Sequence, residues 1–88
     1  MELSSLFPAA IRLQGWSQRR LASELDLNPS TIQRFCANPM QNLERLRLVC
    51  DALGIRFYIL HTGLALIIPK TDGEPVELAA KFPPSNPE

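Results

Sequence analysis

The stretch Ser17–Phe35, SQRRLASELDLNPSTIQRF, decides the fold. It contains two short amphipathic segments back to back. In the first, Leu21, Ala22 and Leu25 fall at i, i+1 and i+4; in the second, Ile32 and Phe35 fall at i and i+3, so each segment carries one inward stripe. Ser17 precedes the first as an N-cap, and Asn28 precedes the second with Pro29 at its first helical position, where a missing N–H costs nothing. Ala22 sits where the two helices would cross, and a side chain this small lets helices meeting at roughly 90 to 120° approach closely. Between them lies Asp26-Leu27-Asn28, in which Asp26 can take the left-handed conformation and Leu27 can turn back into the core.

These features make a helix-turn-helix. The run Gln18, Leu21-Ala22, Leu25, Leu27, Ser30-Thr31-Ile32, Arg34 resembles the helix-turn-helix of the Cro and lambda-repressor (Xre) superfamily, and departs from it at Asp26, where the family usually carries Gly. The fold expected is mostly α: a four-helix lambda-repressor-like core over residues 1–54, then a C-terminal β-strand or β-hairpin over 55–70 used in dimerisation, then a flexible tail over 71–88.

Eighty-eight residues suffice for one domain. A chain this small buries only about 60 to 65% of its unfolded surface, so it gains from dimerising. No apolar run approaches the roughly 20 residues of a membrane span and no secretory signal pattern opens the chain, so a cytoplasmic protein with no membrane partner is expected. Cys36, Cys50 and the single His61 offer neither a zinc set nor a disulfide framework, and the cysteines read as small buried hydrophobes. No phosphate-binding glycine loop, metal-ligand cluster or nucleophile spacing is present, so neither a cofactor nor an enzymatic activity is expected. Formal net charge is zero, which by itself argues weakly for a nucleic-acid partner. Its distribution argues more strongly. Residues 1–50 hold six arginines against Glu2, Glu24, Asp26 and Glu44, for +2, and the remainder is −2.

The opening segment reads as a helix capped by Ser5, with Pro8 in its first turn, Leu6, Phe7, Ala10 and Ile11 on its apolar stripe, and an end at Gly15. Trp16 reads as packing in the seam between the first and second helices. After a loop closed by Pro39, Asn42 caps a helix from Leu43 to Leu53 that stops at Gly54, with Leu43, Leu46, Val49, Cys50 and Leu53 as its inner stripe. The period then changes to two. Ile55, Phe57 and Ile59 alternate with Arg56, Tyr58 and Leu60, and a turn at Thr62-Gly63 would place Ile59 opposite Leu66 and Phe57 opposite Ile68. Both faces of such a hairpin are apolar, so one should meet the helices and the other a second subunit; Ile55, Phe57, Tyr58, Ile59, Leu60, Leu66, Ile67 and Ile68 are the expected dimer interface. Beyond a turn at residues 71–75, Val76 to Phe82 reads as a short helix or extended arm, with Val76, Leu78 and Phe82 either offered to a partner or loosely docked.

In a helix-turn-helix the second helix enters the major groove and the first crosses the phosphate backbone. The base-contacting candidates are therefore Pro29, Ser30, Thr31, Gln33 and Arg34, with Arg34 able to make a bidentate contact to guanine. The backbone-contacting candidates are Ser17, Gln18, Arg19, Arg20, Asn38, Gln41, Asn42 and Arg45. One protomer makes few such contacts, so a homodimer on a palindromic operator of double-stranded DNA is expected, with half-sites about one helical turn apart.

The segment from Asp51 to Leu60, DALGIRFYIL, followed by a strand and a short polar tail, is similar to the HipB-like antitoxins. That resemblance implies a repressor of its own operon with a HipA-type serine/threonine kinase toxin as partner. A phage-type or controller repressor with no toxin shares every DNA-binding feature, and a protein-interaction module whose helix-turn-helix no longer binds DNA is the alternative from another class.

Overall fold

The computed structural model describes residues 1–69 and 73–82. Four α-helices come first: α1 (Leu3–Leu13), α2 (Gln18–Glu24), α3 (Pro29–Ala37) and, after a short 3-10 turn at Pro39–Gln41, α4 (Leu43–Leu53). Three strands follow, β1 (Arg56–Ile59), β2 (Gly63–Ile68) and β3 (Val76–Lys81), forming one antiparallel sheet in the order β1-β2-β3.

Three of the helices end by the same device. After α1 the N–H of Gly15 bonds the carbonyl of Arg12 and that of Trp16 bonds Ile11; after α2, Asp26 bonds Ser23 and Leu27 bonds Ala22; after α4, Gly54 bonds Asp51 and Ile55 bonds Cys50. Each pair closes orphan carbonyls at a helix C-terminus, and the device needs one left-handed residue. Gly15 (φ +75°), Asp26 (φ +56°) and Gly54 (φ +68°) supply it. Asp26 is the one non-glycine residue with positive φ among the described residues, as the turn chemistry of the sequence requires. The apolar residue that follows each of them, Trp16, Leu27 and Ile55, packs on the core.

That core joins all the helices to one face of the sheet. Leu6, Phe7, Ala10 and Ile11 of α1, Leu21 and Ala22 of α2, Ile32 and Phe35 of α3, and Leu46, Val49, Cys50 and Leu53 of α4 are buried with Leu64, Leu66 and Ile68 of β2. A side-chain amide adds to the packing: Gln14 Nε2 donates to the Leu53 carbonyl, tying the ends of α1 and α4 together.

The structure corrects the sequence reading at five places. First, α1 begins at Leu3, not after Ser5, because Leu3 extends the apolar stripe by one turn and the backbone of Glu2 forms a parallel bridge with Lys81. Pro8 therefore lies inside the helix, with no N–H to give the carbonyl of exposed Ser4. Second, Leu43 is exposed rather than part of the inner stripe of α4. Third, the hairpin turns at His61-Thr62, one residue earlier than expected, with the Leu60 N–H bonded to the Gly63 carbonyl at 2.8 Å. Ile59 thus pairs with Leu64 and Phe57 with Leu66, a shift of two residues that leaves the assignment of side chains to faces intact.

Fourth, Gly63 serves the sheet instead of the turn. A Cβ on it would collide with the backbone carbonyl of Ala80 and lie 3.0 Å from Lys81 Cα, so only glycine lets β3 lie this close. Fifth, Val76–Lys81 is a strand paired along its length with β2, so of the two expected forms the extended one holds, docked on the sheet, and neither the short helix nor the flexible tail does. Its pairing covers the second edge of β2 and buries Ala80, which the alternation of Val76, Leu78 and Ala80 suits. The remainder of the expected tail, residues 71–72 and 83–88, lies outside the described residues.

The same burial redraws the expected dimer surface. Ile55, Leu66 and Ile68 belong to the core of the single chain, so they are not free to meet a second subunit. Tyr58, Ile59 and Leu60 remain 48, 49 and 47% exposed.

Candidate nucleic-acid interface

The second helix of the motif is held from behind and open in front. Asn28 caps α3: its Oδ1 accepts the Ser30 N–H at 3.0 Å and the Ser30 hydroxyl at 3.0 Å. Ile32 and Phe35 anchor the helix in the core, and the Phe35 ring meets Phe7 of α1. With those positions fixed inward, the 100° step of a helix turns Pro29, Ser30, Gln33 and Arg34 outward, and all four are exposed. Thr31 is half-buried on the flank. Of the five residues read as base-contacting, four share one exposed face and Thr31 borders it.

Thr31 instead lines a cleft of about 420 Å³ between α3 and the start of α4, together with Arg34, Phe35, Asn38, Gln41, Asn42 and Arg45. The cleft brings together four residues read as backbone-contacting and the main base-contacting candidate. Its polar groups come from four amides or hydroxyls and two guanidinium groups, and no carboxylate lines it. Asn42 is partly committed, because its Oδ1 accepts the Arg45 N–H at 3.1 Å as the cap of α4. That cap fixes the first turn of α4 and, with it, the root of the half-buried Arg45. A cleft lined this way offers charge-assisted donors to an oxyanion, a phosphate among them.

The remaining backbone-contacting candidates sit on α2. Ser17 caps it, its Oγ accepting the Arg20 N–H at 3.1 Å. Arg19 is exposed and Gln18 half-buried. Arg20 is not simply solvated: its guanidinium carbon stands 4.0 Å from the centroid of the Trp16 ring. Trp16 is half-buried against the core, as its place between the first two helices led one to expect, but its outer face carries an arginine. That role was not drawn from the sequence. The signal was there in the four-residue spacing of an aromatic and a cation across a helix start.

Elsewhere the described residues hold no group of three or more His, Cys, Asp or Glu side chains able to share a metal ion, and no helix long and apolar enough to cross a membrane. Cys36 and Cys50 are free and buried. Burial pushes the Cys36 thiol up to about 11; burial, with Asp51 adding its charge, pushes Cys50 up to about 12. Both are thiols, not thiolates, at neutral pH.

Compared with known protein families, residues 9–60 match the family described as helix-turn-helix, a span that covers α2, α3, α4 and β1 and more than half of the chain. No curated protein and no solved structure matches the chain.

Proposed function

The chain belongs to the helix-turn-helix family, and from that membership we propose that it is a sequence-specific DNA-binding transcription regulator in which α3 reads base edges in the major groove. Pro29, Ser30, Gln33 and Arg34 form the reading face, with Thr31 at its margin. Gln18, Arg19 and Arg20 on one side, and Asn38, Gln41, Asn42 and Arg45 on the other, hold the two phosphate backbones that flank the groove. The observation that carries the reading is the cleft that Arg34 and Arg45 both line with no carboxylate among its lining residues. Arg34 stands both on the reading face and at the cleft, so one side chain links base recognition to backbone positioning.

The regulator acts as a homodimer. β1 is paired only with β2 among the described residues, and Tyr58, Ile59 and Leu60 are half-exposed at its end. A second copy added there would cover that apolar run and place two recognition helices on a two-fold axis. Repression is the simplest output of such a fold, because occupying an operator is enough to block transcription.

Within that reading, an antitoxin role with a HipA-type kinase partner is supported by the resemblance of the segment Asp51–Leu60 to HipB-like antitoxins. The sheet favours the other reading, a phage-type or controller repressor without a toxin. In the HipB-like form a C-terminal strand is shared between subunits, whereas here three strands pair within one chain. Selection of duplexes from a random-sequence library by the full chain tests the shared part: enrichment of a two-fold symmetric site with half-sites about one helical turn apart is the expected result. Failure to enrich any duplex would count against it. Co-purification of the chain with a kinase-like protein from its native host separates the two finer readings.

A further inference from the structure

Trp16 sits just outside the helix-turn-helix, and seam packing accounts for only one of its faces. The other carries the Arg20 guanidinium at 4.0 Å. Stacking engages the flat face of a guanidinium and leaves its N–H groups, which lie in the plane, unspent. Among the described residues no carboxylate, carbonyl or side-chain acceptor takes a hydrogen bond from them; the one bond Arg20 makes to a side chain is through its backbone N–H to Ser17. The outcome is a cation held against an aromatic ring with no hydrogen-bond partner for its side chain among the described residues, on the helix that crosses the phosphate backbone in this motif.

We propose that Trp16 is a positioning residue for DNA binding, a platform that holds the Arg20 fork ready to bond a backbone phosphate. The inference rests on the DNA-binding reading above and deepens it. A free arginine loses rotamer freedom when it is immobilised on a ligand, whereas an arginine already stacked has lost much of it in the unbound protein. Arg20 and Trp16 therefore act as one unit, and Arg19, which has no such platform among the described residues, contributes less.

Because they act as one unit, a double-mutant cycle tests them. The full chain is titrated at several salt concentrations with a duplex recovered from a random-sequence library, as wild type, Trp16→Leu, Trp16→Phe, Arg20→Ala and the Trp16→Leu/Arg20→Ala pair. Leu keeps apolar cover over the core and removes the π face; Phe restores a face. Arg20→Ala should lower the magnitude of the salt slope by about 0.9 per protomer, the loss of one phosphate contact. Trp16→Leu should weaken binding by about three- to tenfold with the slope retained, Trp16→Phe should recover most of the loss, and Trp16→Leu should cost nothing further once Arg20 is Ala.

Trp16 is the sole tryptophan of the chain, so its fluorescence reports the contact directly, and Arg20→Ala should change the emission of the unbound protein. If Trp16→Leu weakens the Arg20→Ala protein as much as the wild type, its role is seam packing and the proposal is overturned. An unchanged salt slope in Arg20→Ala overturns it as well. Should Trp16→Leu fail to fold, the salt slope of Arg20→Ala and the emission of its unbound form decide, an unchanged value of either overturning the proposal. A wild type that binds no duplex at all removes the DNA-binding reading itself, an outcome separate from failure of the cycle.

Discussion

Phe7 of α1 and Phe35 of α3 meet edge to face, their ring centroids 4.8 Å apart and their planes at 65°. Both are buried, so the helix proposed to enter the major groove is seated on the first helix through an aromatic pair deep in the core. Truncating one ring leaves a cavity that the close-packed helices around it can fill only in part. Phe35→Ala should destabilise the protein by about 3 to 5 kcal/mol, measured by denaturant unfolding. A loss below about 1 kcal/mol would mean that α3 is seated by other contacts.

Asp26 bears on stability in the opposite sense. At φ +56° it occupies a conformation that costs an ordinary L-residue roughly 1 to 2 kcal/mol and costs glycine almost nothing. Asp26→Gly should raise stability by about 0.5 to 1 kcal/mol and leave DNA affinity unchanged, since the residue lies in the turn and is not among those lining the cleft of Arg34 and Arg45. Asp26→Val should destabilise by more than that. If the glycine variant were the less stable of the two, the turn would not be left-handed in solution.

How far these features were legible in the sequence differs along the chain. The helix-turn-helix could be read because its signals are local: Ser17 and Asn28 cap helices within three residues, and Asp26 is among the few side chains that tolerate the turn. The strand region was harder. Thr62-Gly63 is a plausible turn, but the demand on Gly63 comes from the backbone of Ala80, seventeen positions away, and nothing near Gly63 announces it. β3 was read as a helix or an arm for a similar reason, since a strand whose outward residues are Glu77, Ala79 and Lys81 shows little amphipathic signal until its partner is in place. In the candidate interface, exposure of Arg34 follows from the helical period, whereas its sharing one cleft with Arg45 depends on how the turn at Pro39–Gln41 sets α4 beside α3, which no local rule supplies.

The edge of β1 carries the proposal of a dimer. Ile59→Lys places a charge in the apolar run that a second copy would cover, while the exposed position tolerates lysine in a single chain. At one concentration the wild type should sediment as a dimer and the variant as a monomer, and the variant's salt slope should fall to about half. A variant that stays dimeric would move the interface off β1.

Alkaline pH should weaken the fold through its two cysteines. Their folded values, about 11 for Cys36 and about 12 for Cys50, lie above the ordinary thiol value of 9.0, so the unfolded chain gives up these protons first as pH rises. The stability tied to the buried thiols is complete below pH 9 and drains between pH 9 and the folded values, with Cys50, the more strongly shifted, losing more. Cys36→Ala and Cys50→Ala should each flatten this decline in a series of denaturation midpoints taken against pH. An equally steep decline in the double variant would assign it to other groups.

The central claim, that α3 reads DNA through Arg34 while the flanking residues hold phosphates, is tested most directly by the affinity of wild type and Arg34→Ala for a selected duplex and for scrambled sequence across a salt series. The proposed homodimer should show a log–log salt slope near −6, from roughly six to eight neutralised phosphates. Arg34→Ala should lose about 1 to 3 kcal/mol of discrimination at one base position in each half-site while still binding scrambled DNA. Binding insensitive to salt, or an Arg34→Ala protein that discriminates as well as the wild type, would contradict that claim.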